Sequence, residues 1–201
     1  MTQAFNLSQF ANNVNSSGLA SLTTGVTGQL PIANGGTGAT TLAGANIAVT
    51  TAANSFTNTQ TFTGSTTAIA AVFQDAVEVT TISATAATGT INYDITTQSV
   101  LYYTTSASAN WTLNIRGNGT TSLNTLMSTG QALTVVFLVT QGSTAYYNNV
   151  LQIDGASVTP KYQGGTAWTS GNASGIDAYS YTIVKTGSAA FTVFAAQTQF
   201  K

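Results

Sequence analysis

The chain has 201 residues, 43% of them hydrophobic and only 4% charged, with a formal net charge of −1 and neither His nor Cys. An average soluble chain carries about 25% charged residues, so Thr, Ser, Asn, Gln and Gly take over the solvated surface here. This excludes His/Cys metal centres, His-dependent nucleophilic catalysis and a disulfide framework.

From the N-terminus, Leu7, Phe10, Ala11 and Val14 fall at i, i+3, i+4 and i+7, which predicts a short amphipathic helix stopped by Gly18. A helix that short is marginal alone and needs a surface to dock on, so residues 1–29 read as an anchor. Residues 30–78 are rich in Gly and Thr and read as a stalk. Asn34-Gly35-Gly36 supplies a turn, because glycine reaches the positive φ that tight turns need. Next, Phe56 to Thr63 alternates strictly, with Phe56, Asn58, Gln60 and Phe62 on one face and four threonines on the other. One strand cannot bury two Phe rings. Three copies around a shared axis can, with Phe56 and Phe62 as the stalk core.

Residues 79–201 carry the pattern of a compact β-domain. Ser99–Thr105 is β-branched and aromatic, Trp111, Leu113 and Ile115 alternate with polar residues, and Leu133–Thr140 is a nearly continuous apolar run suited to a central strand covered on both faces. Asp154-Gly155 between two short apolar runs signals a hairpin, and Gly187 marks a turn between the Tyr179–Val184 and Phe191–Val193 alternations. One short helix interrupts, with Leu123, Leu126 and Met127 on one face, Thr121 or Ser122 as cap, and Gly130 as stop. The fold class expected is all-β: an extended N-terminal anchor and trimeric stalk, then a β-sandwich, jelly-roll-like, with one short helix.

Chemistry has few carriers. The acids Asp75, Glu78, Asp94, Asp154 and Asp177 are scattered, and no basic residue precedes Arg116, so no catalytic residue, metal site or cofactor is expected, and no nucleic-acid partner. Gly35-Gly36-Thr37-Gly38 lacks the Gly-Lys-Ser/Thr ending of a phosphate loop. No apolar run approaches the ~18 residues of a membrane helix, and the missing N-terminal positive charge argues against a cleaved secretory signal. Aromatic residues in loops are the better surface-binding candidates: Trp168 in a Gly/Ser/Thr-rich loop, Tyr146 and Tyr147 beside Asn148 and Asn149, and Tyr162. Such rings suit stacking on a sugar or docking on protein, but the favoured reading of Trp168 is a plug at the end of the sandwich or at the trimer interface, because aromatic rings dominate core and interface energetics. Trp111, on an alternating strand, is a core residue.

Leu30-Pro31-Ile32-Ala33-Asn34-Gly35-Gly36-Thr37-Gly38-Ala39-Thr40-Thr41 resembles an element that recurs in bacteriophage tail fibres and related virion proteins. Asn54 to Gly64 resembles the stalk repeats of the same proteins, and the two together cover about a ninth of the chain. Gly89–Asp94 and Trp111–Asn114 are similar to segments of fibre-like proteins of phages from aquatic bacteria, cyanobacteria included. The resemblance implies a homotrimer on the virion exterior, made in the host cytoplasm. Its N-terminus would bind other virion proteins, and its C-terminal domain would meet a host surface glycan or protein. A capsid-bound head fibre or decoration protein is the alternative. Neither a C-terminal self-cleaving chaperone nor a depolymerase acid pair is recognisable, so an attachment protein rather than an enzyme is expected.

Overall fold

The computed structural model describes residues 58–201 continuously and residues 3, 4, 11, 14, 16, 17, 53, 55 and 56 individually. The helix expected over Leu7–Val14 lies outside the described residues except at Ala11 and Val14, and the Leu30–Thr41 element lies wholly outside them. The chain divides into two compact units, Met1–Val72 and Phe73–Lys201.

In the first unit the described part of the Phe56–Gly64 stretch forms no ladder. Phe56 and Phe62 are 54% and 62% exposed. The local pattern of a strand is present, but among the described residues no strand lies beside it. Ser65 and Ala68 form an isolated bridge.

The second unit contains ten strands: β1 (Thr80–Ala86), β2 (Gly89–Asp94), β3 (Val100–Thr105), β4 (Trp111–Arg116), β5 (Ala132–Thr140), β6 (Asn148–Ile153), β7 (Ala156–Val158), β8 (Lys161–Tyr162), β9 (Ile176–Gly187) and β10 (Ala190–Phe200). They form a six-stranded sheet ordered β1-β3-β5-β9-β10-β8 and a four-stranded sheet ordered β2-β4-β6-β7. The all-β class holds, with α1 (Leu123–Leu126) the one α-helix of the second unit.

The connectivity differs from a jelly roll. β1, β3 and β5 pair in parallel in one sheet, and β2, β4 and β6 pair in parallel in the other. The chain therefore winds through three coils, laying one strand in each sheet per turn, as solenoids do. Parallel neighbours need a crossover rather than a tight turn, and the opposite sheet supplies it. Registers stack like residues: Ile91, Leu113 and Leu151 form one inward column and Tyr93, Ile115 and Ile153 the next. Outside runs an amide column of Asn92, Asn114 and Gln152, in which Asn114 Nδ2 donates to Asn92 Oδ1 at 2.9 Å.

Antiparallel strands close the C-terminal end. β9 and β10 form a long hairpin that joins β5, and β7 folds back on β6 through Asp154-Gly155. Both turn residues have positive φ, 52° and 82°, as a two-residue type I′ hairpin requires. The core runs between the sheets, with Trp111, Leu113, Ile115, Phe137, Val139, Tyr179, Tyr181 and Ile183 all buried. β5 is central in its sheet, but only its inner face is covered; Val136 and Leu138 on the outer face are half-buried and Thr134 is exposed.

Helix α1 is held by its surroundings rather than by propensity, as one turn must be. Ser122 Oγ accepts from Thr125 N at 3.0 Å. The Asp154 carboxylate accepts from Leu123 N and Asn124 N at 2.7 and 2.9 Å. Lys185 Nζ donates to the carbonyls of Asn124 and Met127 at 2.5 and 2.8 Å. Leu123 and Met127 are buried, whereas Leu126 faces outward. Among the described residues no helix is long and apolar enough to cross a membrane.

Candidate functional site

The expected surface aromatics divide into two pairs. Tyr146 and Tyr147 sit in the β5–β6 loop, fixed by their backbones: Tyr146 N donates to Gln141 Oε1 at 2.9 Å and Tyr147 N to Asn110 Oδ1 at 3.0 Å. Both rings pack partly on the core. Tyr162 and Trp168 come together at the far edge of the six-stranded sheet, their ring centroids 4.9 Å apart and edge to face.

Local sequence explains that edge. Pro160 lacks the N–H a central strand would use, and β8 after it is only two residues long, pairing with Phe194 and Ala195 of β10. A 3-10 turn (Gln163–Gly165) ends it, with Gly164 and Gly165 at φ 73° and 78°, values that favour glycine. The following loop brings Trp168 back onto the domain. Its Nε1 donates to Asn148 O at 2.6 Å, and its ring lies edge-on to Tyr179 and Tyr181 at 5.2 and 6.3 Å. The contacts continue from Tyr179 to Trp111, Phe137 and Tyr103 at 5.5, 6.0 and 5.1 Å. Trp168 is thus a half-buried plug at the edge of the core with part of its ring left accessible, and Trp111 is the core residue expected.

Two clefts flank Tyr162. One, about 200 Å³, is walled by Tyr162, Trp168, Gln163, Thr166 and Gln197. The other, about 580 Å³, opens onto the outer face of the sheet beside Lys161, Ser180, Thr182 and Phe194. Ala195 and Ala196 floor both. Gln197 Nε2 is engaged by Ser170 O and Tyr179 Oη, both at 3.0 Å, which fixes the amide at the rim. Burial pushes the phenols of Tyr162, Tyr179 and Tyr181 above their ordinary range, so all three keep their protons at neutral pH. Sequence reasoning found Tyr162 and Trp168 but not Lys161, Gln163, Phe194 or Gln197. The alternation of β10 was the available signal for Phe194, since it falls on the face opposite Val193 and Ala195.

The acids of the β-domain have structural work. Asp94 accepts from Arg116 Nε at 2.6 Å, and Asp154 caps α1. Asp177 is fully buried, and its carboxylate accepts from Gln141 Nε2 at 2.8 Å and from Asn172 N. Among the described residues no three acids gather as a metal-ligating group. A scan of protein-family models found no match to the chain, and neither did searches of curated proteins and of solved structures.

Proposed function

We propose that the chain is a structural subunit of a bacteriophage virion, a short tail fibre or fibre-like appendage that attaches the particle to its host surface by binding rather than by catalysis. The observation that carries this reading is a run of uncovered apolar side chains. Phe56, Phe62, Ile69, Val72, Phe73, Val77, Val79 and Ile82 are all exposed in the single chain, immediately before a domain whose own core is well buried. A run this long is an interaction surface. Identical copies are its most economical partner: Phe56 and Phe62 recur on one face of an extended segment, and with a net charge of −1 copies repel one another little. Three such segments around one axis form the stalk, with Phe56 and Phe62 inside and the threonines in water.

The likeness of residues 30–41 to a tail-fibre element supports the virion setting. The employment of Asp94, Asp154 and Asp177 in an ion pair, a helix cap and a buried hydrogen-bond cluster supports an attachment role over hydrolysis. An antibody against residues 73–201, applied to intact particles in the electron microscope, tests the assignment. Label on the tail is the expected result. Label confined to the head would transfer the protein to the capsid-bound class, and unlabelled particles would remove it from the virion.

A further inference from the structure

We propose that the larger cleft, on the outer face of the six-stranded sheet, is a groove for a saccharide bearing a carboxylate, with a sugar ring packed on Phe194 and the carboxylate set against Lys161. The inference rests on the attachment reading above and names the chemical class of what is attached to.

Shape comes first. Lys161 and Phe194 are in register, so both stand on the outer face, where Ser180 and Thr182 line the same cleft, whereas Tyr162, in register with buried Ala195, turns to the inner face beside Trp168. The cleft, at about 580 Å³, falls within the roughly 300–1,000 Å³ of small-molecule sites. Ala196 in its lining lets a flat ligand approach the sheet closely.

The lining has the chemistry of sugar recognition. A pyranose has apolar C–H faces and a polar edge, and it is matched by aromatic rings bordered by amides and hydroxyls. Phe194 supplies the ring, 49% exposed on the outer face. Gln163 supplies an amide, and Ser180 and Thr182 supply hydroxyls.

Charge narrows the class. The chain has four basic residues. Arg116 is tied to Asp94, Lys185 is buried against helix carbonyls, and Lys201 is the last residue of the chain. Lys161 is exposed, lines the groove, and shares it with no carboxylate. In register with Phe194 on the neighbouring strand, it lies on the same side of the sheet as that ring. An ammonium at the end of a neutral, ring-lined groove complements an acidic sugar better than a neutral one.

Titration of the full-length protein with trigalacturonate, trimannuronate and sialyllactose, each beside an uncharged sugar of equal length, tests this. Isothermal titration calorimetry is the readout. At least one acidic sugar is expected to bind ~10-fold more tightly than its neutral counterpart, with the difference shrinking as salt is raised. Lys161→Gln, at an exposed position, is expected to bring the acidic sugar down to the affinity of the neutral one. Gln163→Ala is expected to weaken both. Binding of none of the three acidic sugars would overturn the proposal, as would an unchanged affinity in Lys161→Gln. If particles carry the antibody label while no acidic sugar binds, the saccharide assignment fails and the attachment reading stands. If particles carry no label, the attachment reading fails whatever the sugars do.

Discussion

Two strand-like stretches of nearly the same texture meet opposite fates. Phe56-Thr57-Asn58-Thr59-Gln60-Thr61-Phe62 and Trp111-Thr112-Leu113-Asn114-Ile115 both alternate with period two, the first setting Phe56, Asn58, Gln60 and Phe62 against threonines and the second setting Trp111, Leu113 and Ile115 against polar residues. Trp111, Leu113 and Ile115 are buried to within 1%, whereas Phe56 and Phe62 stand more than half exposed. The first interrupts its rings with two amides, and the two stretches differ in their neighbours as well. The β4 strand has β2 on one side and β6 on the other, and Trp111 meets Phe137 and Tyr179 of the opposite sheet edge to face. Among the described residues the 56–62 stretch has no strand beside it. A side chain is buried only when strands flank it and a layer covers it, and on the proposed reading other copies supply both.

The largest effect expected is on the uncovered stretch. Phe56→Ser with Phe62→Ser removes two large burials per chain, each worth ~1.5–3 kcal/mol, and is expected to reduce the assembly to single chains in analytical ultracentrifugation. The β-domain's circular dichroism should be unchanged. A retained assembly would mean these rings do not line the axis. On the covered side, Trp111→Ala opens a cavity between the sheets and is expected to cost ~3–5 kcal/mol in urea unfolding, without altering the number of chains before the unfolding transition. That separation of effects would sharpen the contrast between a site proposed to hold copies together and one that holds a single domain together.

A smaller loss is expected from Asn114→Ala in the outer amide column. It removes the bond to Asn92 and leaves Gly155 N, now 2.8 Å from Asn114 Oδ1, without its acceptor. About 1–2 kcal/mol is expected, read from the urea midpoint. The smallest effect concerns Asp177. Burial raises its pKa above the ordinary carboxyl value, against the lowering influence of its bonds from Asn172 and Gln141. The fold therefore favours the protonated form. This group's contribution is fully present below the ordinary carboxyl pKa and is lost as pH rises through the folded value. Stability is expected to fall as pH is raised from ~4 towards neutrality, and Asp177→Asn should flatten that slope. A slope preserved in the variant would assign it to another group.

Much of the fold was legible wherever local chemistry decided it. Asp154-Gly155 announced its hairpin because both residues tolerate positive φ, and Ser122 announced its helix cap. Trp111 announced the core by alternation. The parallel winding was not read, because it depends on pairings such as Thr80 with Val100 and Leu113 with Leu151, far apart in the chain. A signal was nevertheless present. Thr90-Ile91-Asn92-Tyr93, Thr112-Leu113-Asn114-Ile115 and Val150-Leu151-Gln152-Ile153 repeat one outward–inward pattern, interrupted before the third copy by α1 and its flanking turns. Of the two clefts, the rings Tyr162 and Trp168 were visible as aromatics near loops. Lys161 and Phe194 were not visible as partners, because a two-residue strand meeting β10 more than thirty residues later leaves no periodicity to read.

The most direct test of the account is the mass of the full-length protein in solution by light scattering with in-line chromatography, across a tenfold range of concentration. Three chains, constant over that range, is the result expected if the exposed run from Phe56 to Ile82 is covered by identical copies. A single chain at every concentration would contradict it, and would mean that this run is buried against a different protein of the particle.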